Sequence, residues 1–424
     1  MAVYRLNTLI IKILKGYIII FLCLGWMIDQ GILTHNQLLV FQLMPLALFI
    51  IVLAKRKGAI NSKPKLITVF FPLIVVISGL INNVNTLSML LDIRWLILPL
   101  FVYLTLINLN LKQQELKGLI KFVFILGILH IPMAFLKYFI LEWHGETTLG
   151  LISHSGSTYF VTIAFAFILS FSSNNSLLRN LILFFGFILV AVSSAKRAII
   201  FMLPIIFVVF LYLNRDNSKN SLRTFNYSFF LLPLFVYLLV RLSPTLNPSN
   251  KIWGVFDLEF AIDYALEYES IDRETFNNTT ANRLGTTALI LNQTFNSPIN
   301  FIFGYGGDKL SKSYISSSSS KDFTKQVEYG YNGLTWLLYQ YGIIASLIWF
   351  LFFFRFKKLS EVIMKTTNST FWISYAKGIY ITAIIMSVFQ FGYSPEYKNL
   401  ELISLVYILF AVAYIYQKKY ANIN

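Results

Sequence analysis

Apolar runs of about twenty residues dominate this chain from end to end, each closed off by polar or charged residues. Examples are IIKILKGYIIIFLCLGWMID at 10–29, GLIKFVFILGILHIPMAFLKYFI at 118–140 and GLTWLLYQYGIIASLIWFLFFF at 333–354. A helix rises about 1.5 Å per residue, so roughly twenty such residues cross a hydrocarbon layer of about 30 Å. The runs lack the period-2 alternation of outer-membrane strands, which points to helices and not to a barrel. With 57% hydrophobic and only 13% charged residues, a water-soluble globular class is excluded. The single cysteine, Cys23, lies inside the first run, so no disulfide within the chain is possible. That run continues past signal-peptide length with no small-residue cleavage site behind it, and no cleavable leader is expected.

Hydropathy places about twelve spans, near 9–28, 38–54, 66–80, 86–107, 117–139, 157–172, 177–194, 198–213, 228–242, 333–354, 371–391 and 400–417. The connections then alternate in charge. Lys55, Arg56, Lys57, Lys63 and Lys65 share one loop. On the same side fall Lys112 and Lys117, then Arg179, then Arg215, Lys219 and Arg223, then Arg355, Lys357, Lys358 and Lys365, and finally Lys418 and Lys419. The connections at 29–37, 81–86 and 142–158 hold no Lys or Arg. The positive-inside rule puts the basic loops and both termini in the cytoplasm. Much of the net charge of +16 is therefore topology and not a nucleic-acid surface. The expected architecture is an all-α polytopic membrane protein of the plasma membrane. It would have an N-terminal bundle over 1–242, one large external loop domain over 243–332 between helices 9 and 10, and three further helices over 333–424.

Two positions break the charge pattern. In SSAKRAIIF, Lys196 and Arg197 sit in a tight turn on the external side, where the bias opposes positive charge. They read either as an anion site at the outer face or as headgroup contacts and a cap on the seventh helix. Arg94, in LLDIRWLILP, lies about eight residues, or roughly 12 Å, below the same surface. It is a second anion candidate, or else it snorkels to the headgroups beside an interhelical partner. Lys377 falls at the cytoplasmic start of its span and reads as snorkelling; His130, beside Pro132, reads as a packing or kink residue.

The external segment has three parts. Trp253, Phe256, Phe260, Tyr264 and Tyr268 recur at steps of three and four, an aromatic stripe expected on one face of an amphipathic helix. An apolar helical stretch follows from near Arg283 to Pro298, and then a turn containing Gly304, Gly306 and Gly307, whose glycines permit positive φ and close approach to a ligand. SKSYISSSSSK at 311–321 has the composition of a linker. His154, in GLISHSGS, opens an external helix and is either a capping-region residue or a candidate acid-base group.

Arg283 with its helix, the following proline, FIFGYGGD, the serine-rich insert and YNGLTWLLYQYGIIASLIWF resemble, in that order, the C-terminal region of the O-antigen polymerase and O-antigen ligase superfamily. SSAKRAII resembles that family's short external segment before a membrane helix. The resemblance covers roughly 193–350 as motif and the rest as topology only. Ligases of the family carry His-Asn where this chain has Tyr331-Asn332, so the resemblance implies the polymerase branch, with Glu328 as the group in place to accept a proton and Tyr331 and Asn332 near substrate. A family polymerase joins undecaprenyl-diphosphate-linked repeat units at the outer face of the plasma membrane. Arg197, Arg283 and Arg94 would then stabilise the leaving diphosphate, Gly304, Gly306, Lys196 and His154 would line the substrate, and a chain-length regulator would be a partner. No metal or other cofactor is expected. The alternatives are a ligase acting on lipid A core and, from a different class, a lipid-linked oligosaccharide flippase. Against the flippase stand the long external segment and the lack of a visible internal repeat.

Overall fold

The computed structural model describes residues 2–29, 32, 39–55, 70–143, 148–152, 154–171, 177–194, 197–214, 233, 236–238, 240–242, 246–251, 253–269, 283–307, 332–393 and 399–420. Those residues form helices joined by turns, with no strand among them. In order they are α1 (Ala2–Asp29), α2 (Leu39–Gln42), α3 (Met44–Lys55), α4 (Phe71–Ile81), α5 (Thr86–Asn108), α6 (Gln113–Ile140), α7 (His154–Phe171), α8 (Leu177–Ser193), α9 (Arg197–Leu213), α10 (Leu258–Glu269), α11 (Arg283–Phe295), α12 (Pro298–Phe303), α13 (Gly333–Thr366), α14 (Thr370–Gly392) and α15 (Leu400–Lys419). Among the described residues α6, α13, α14 and α15 are long and apolar enough to cross a membrane, and parts of α3, α4, α5, α7 and α9 form shorter apolar helices. The chain is a multi-pass helical membrane protein.

Local chemistry sets the ends. Asn85 Oδ1 accepts the Leu87 N–H at 2.9 Å to start α5, Asn399 Oδ1 accepts from Leu402 N at 2.9 Å to start α15, and Glu115 caps the first turn of α6 through Lys112 N at 2.7 Å. Two long helices are widened near one end by a π turn, Leu136–Ile140 in α6 and Ile385–Phe389 in α14. Such turns are frequent at functional sites.

α15 is the axle of the bundle. Of its apolar window 89% is buried, against 39% for α6. A helix apolar on every side belongs in the middle of other helices. Phe410 stacks on Phe356 at 4.1 Å, Tyr416 on Trp372 at 3.8 Å, and Tyr103 of α5 packs edge-on to Tyr407. Between helices in lipid the gain comes from close packing and not from water expulsion, so such interlocked rings count for more than buried area.

Several elements differ from the sequence expectation. α13 runs to Thr366 instead of ending near 354, because Arg355, Lys357, Lys358 and Glu361 continue the helix as a polar extension, with Lys357 and Glu361 paired at 3.8 Å. Pro298 does not end a helix; it opens α12 at the first helical position, where its missing N–H costs nothing, behind the Ser297 cap. The aromatic stripe is split. α10 begins only at Leu258, since Asp257 Oδ1 takes the Phe260 N–H at 2.9 Å as its cap. Trp253, at φ 64°, and Phe256 therefore precede the helix. Arg241 holds that approach: its guanidinium lies 4.6 Å over the Trp253 ring, its Nε donates to Gly254 O and its Nη1 to Tyr237 Oη. Lys377 donates to Asn214 Oδ1 at the end of α9, and His130 is fully buried, with Nδ1 2.9 Å from Leu126 O. The span expected at 228–242 is described only at Pro233, 236–238 and 240–242.

Candidate functional site

Contacts between helix ends sort the bundle into two poles. At one, Lys419 bonds Asn110 Oδ1, Tyr420 Oη donates to Leu111 O, Asn7 reaches Asn110 O and Lys15 reaches Gly118 O. α5 and α15 both end there, so both start at the opposite pole. α7 starts at that opposite pole too, because Gly156 packs directly on the Asn399 side chain and Tyr159 Oη donates to Phe389 O. Gly333, the first residue of α13, rests against Gln390 O at the end of α14. α9, whose last turn meets Lys377 near the start of α14, begins at this pole as well.

Five helix starts thus share one pole: Thr86, His154, Arg197, Gly333 and Leu400. A helix N-terminus carries N–H groups that have no partner within the helix and the positive end of its dipole, which together favour an anion; at α5, α13 and α15 an asparagine cap already takes one of them.

Inward from that pole, α13 is a broken helix. Gly342 stands inside α13 at φ 76°, ψ −178°, a conformation open almost only to glycine. Gly304, at φ 76°, faces it: a Cβ on either residue would strike the other segment's backbone, at Gln340 and Tyr341 or at Ile302 and Phe303. The break frees carbonyls of α13, and the glycine turn returns donors to them. Tyr305 N bonds Tyr339 O at 2.7 Å and Gly306 N bonds Gln340 O at 3.0 Å. Ser78 Oγ, on α4, gives Gln340 O a second bond at 2.9 Å, Gln340 Nε2 donates to Gly307 O, and Asn82 Nδ2 donates to both Ser78 O and Gly304 O. Tyr305 stacks on Tyr339 at 4.7 Å and donates its hydroxyl to Gln293 O. α4, α11, α12 and α13 are thereby tied at one level.

The expected site residues fall as follows. Arg94 lies on α5, half-buried, its guanidinium 4.6 Å over the Trp95 ring and its Nε and Nη1 shielded from solvent. Arg197, His154 and Arg283 are each the first residue of a helix; the structure describes their backbone and not their side chains. Asn332 caps α13 by accepting Thr335 N at 2.9 Å, and its Nδ2 donates to Thr287 Oγ1 at 3.2 Å, one turn past Arg283. Gly304 and Gly306 use their positive φ for packing, Gly304 on α13 and Gly306 on Val84. Lys196, Glu328 and Tyr331 lie outside the described residues. The structure thus brings Asn332, the start of α11, the glycine turn and the starts of α7 and α9 to one pole of the bundle.

Ser78, Asn82, Gln340, Gly342 and Gln390 were missed from sequence. The available signal was neutral: amides inside apolar runs, where a polar group needs an internal partner, carry no charge to break the loop pattern. Lys137 was also missed. It is buried at the end of α6, where Nζ donates to Gly150 O at 2.8 Å and ties down the turn before His154.

No protein-family model matches the chain, and no curated protein matches it.

Proposed function

We propose that the protein is a membrane glycosyltransferase that polymerises undecaprenyl-diphosphate-linked repeat units at the outer face of the plasma membrane. On this reading the chain has about twelve spans, and the pole bearing the glycine turn faces outward. The observation that carries the proposal is the convergence at that pole: the five helix starts at Thr86, His154, Arg197, Gly333 and Leu400, with the start of α11 at Arg283 joined to them through Thr287 and Asn332. A lipid diphosphate is a dianionic group at the membrane surface, and this is the pole whose backbone and arginines suit it. The resemblance of 193–350 to the polymerase and ligase superfamily supports the same chemistry.

In the reaction proposed, a hydroxyl oxygen of the lipid-linked acceptor attacks the anomeric carbon of the donor chain. The bond from that carbon to the diphosphate oxygen breaks, and undecaprenyl diphosphate departs. Negative charge grows on the leaving diphosphate, where bidentate guanidinium groups of Arg197, Arg283 and Arg94 stabilise it more in the transition state than in the ground state. The hydroxyl proton passes to Glu328.

The test is polysaccharide synthesis in a strain lacking the gene, complemented with wild type, Arg197→Ala, Arg283→Ala or Glu328→Gln at equal membrane levels. Loss of the ladder with single-repeat product retained supports a polymerase with these residues at its centre. Full ladders from all three variants would remove those assignments, and polymer made but not attached to lipid A core in the null strain would replace polymerase by ligase.

A further inference from the structure

We infer that the α11–α12 hairpin and its glycine turn form a re-entrant element sunk into the lipid bilayer, with Phe295, Ile299 and Ile302 in contact with acyl chains. The inference concerns where the segment sits and holds whatever reaction the protein catalyses.

Depth is the first argument. Basic residues begin on α13 at Arg355, the level of one headgroup layer. From Gly342 to Arg355 the helix rises roughly 20 Å, while the hydrocarbon core is about 30 Å thick. Gly342 therefore lies about 10 Å inside the opposite hydrocarbon boundary. Gly304 touches it, so the glycine turn lies at that depth as well, and the bond from Tyr305 Oη to Gln293 O holds the last turns of α11 close to it.

Composition is the second. Between Arg283 and Asp308 the chain has no Asp, Glu, Lys or Arg. A segment of that length on a water-facing loop normally carries charge; one in lipid cannot easily do so. Exposure is the third. Phe295 is 60% exposed, Ile299 59% and Ile302 38%, and no residue of α12 is fully buried. Phe295 and Phe301 stack at 5.1 Å beside them.

Backbone satisfaction completes the case. Irregular backbone is tolerated at membrane depth only where its polar groups are met inside the protein. Here the N–H groups of Tyr305 and Gly306 go to Tyr339 O and Gln340 O, and the carbonyls of Gly304 and Gly307 take side-chain donors from Asn82 and Gln340. The hydrogen-bonded side of the hairpin faces the bundle, and the exposed side left for lipid carries Phe295, Ile299 and Ile302 with the uncharged amides Asn292 and Asn296 among them.

The experiment uses the full chain with Cys23→Ala, then single substitutions Phe295→Cys, Ile299→Cys or Ile302→Cys. Asn250→Cys, at an exposed polar turn, serves as the aqueous control and Val388→Cys, 55% exposed on α14, as the lipid control. Each is spin-labelled in vesicles of phosphatidylethanolamine and phosphatidylglycerol, and collisions with oxygen and with a water-soluble nickel chelate are compared. Oxygen should exceed the chelate at 295, 299 and 302, as at 388, with the order reversed at 250. Chelate access at those three positions equal to that at 250 would overturn the inference, and so would low access to both reagents, which would mean a protein partner covers them. In parallel, unsubstituted protein is photolabelled with a membrane-partitioned diazirine. Adducts within 284–307 support the placement, and their absence while α14 is labelled refutes it.

Discussion

Replacing Gly342 by alanine should cost far more than the same change elsewhere in the bundle, because two independent penalties meet at that atom. The backbone at φ 76°, ψ −178° is strained for any side chain by about 1–3 kcal/mol. The new methyl would also lie on Ile302 O and push α12 away. Of the two freed carbonyls, Gln340 O keeps the Ser78 hydroxyl, but Tyr339 O loses its 2.7 Å bond to Tyr305 N. A buried acceptor left unmet costs about another 1–3 kcal/mol. The expected loss is thus about 2–6 kcal/mol, a large share of the roughly 5–15 kcal/mol that holds a typical fold. Unfolding in mixed micelles titrated with SDS and followed by helical circular dichroism would measure it. Gly118→Ala is the control, since a methyl there meets nothing within 4 Å and should be neutral or stabilising by up to about 1 kcal/mol. Gly304→Ala should resemble Gly342→Ala, and the double variant should cost clearly less than the sum, because both break one interlock. A Gly342→Ala protein as stable as Gly118→Ala would refute the reasoning.

Other substitutions probe separate parts. Asn332→Ala removes the cap of α13 and the bond to Thr287, and should lower stability by about 1–2 kcal/mol while loosening α11; faster amide exchange at 283–295 would register the latter. Phe410→Ala should cost about 2–4 kcal/mol in the same SDS titration, somewhat less than the 3–5 of an aqueous core, since transfer from water drops out and the lost packing on Phe356 remains. Arg241→Lys keeps the charge but cannot bond Gly254 O and Tyr237 while lying flat on Trp253, so protease cleavage near 251–257 should speed up with little change in the SDS midpoint.

The helical class and several boundaries were legible because apolar runs end where water begins. α5, α8 and α9 fall within a residue or two of their hydropathy limits. α13 overran its limit because a helix can leave the membrane on charged residues that a hydropathy window rejects. The site was less legible. The glycine turn stood out by composition, yet its partner Gly342 sits in LLYQYGIIAS as one small residue in an apolar run, indistinguishable from a helical glycine until Gly304 is brought against it. Asn332 was read as a substrate residue from its place in a motif; its hydrogen bonds add a capping duty that any short run of Asn-x-x-Thr could announce.

The axle α15 is the last of the described helices along the chain, and it touches α1, α5, α6, α7, α13 and α14. Synthesis proceeds from the N-terminus, so those neighbours enter the membrane before their common partner exists. They must wait around a vacancy filled by lipid or by the insertion machinery, with the half-finished bundle holding Trp372, Phe356 and Tyr103 open to it. A chain stopped before Leu400 is therefore expected to leave those neighbours without their common partner and their aromatic faces open.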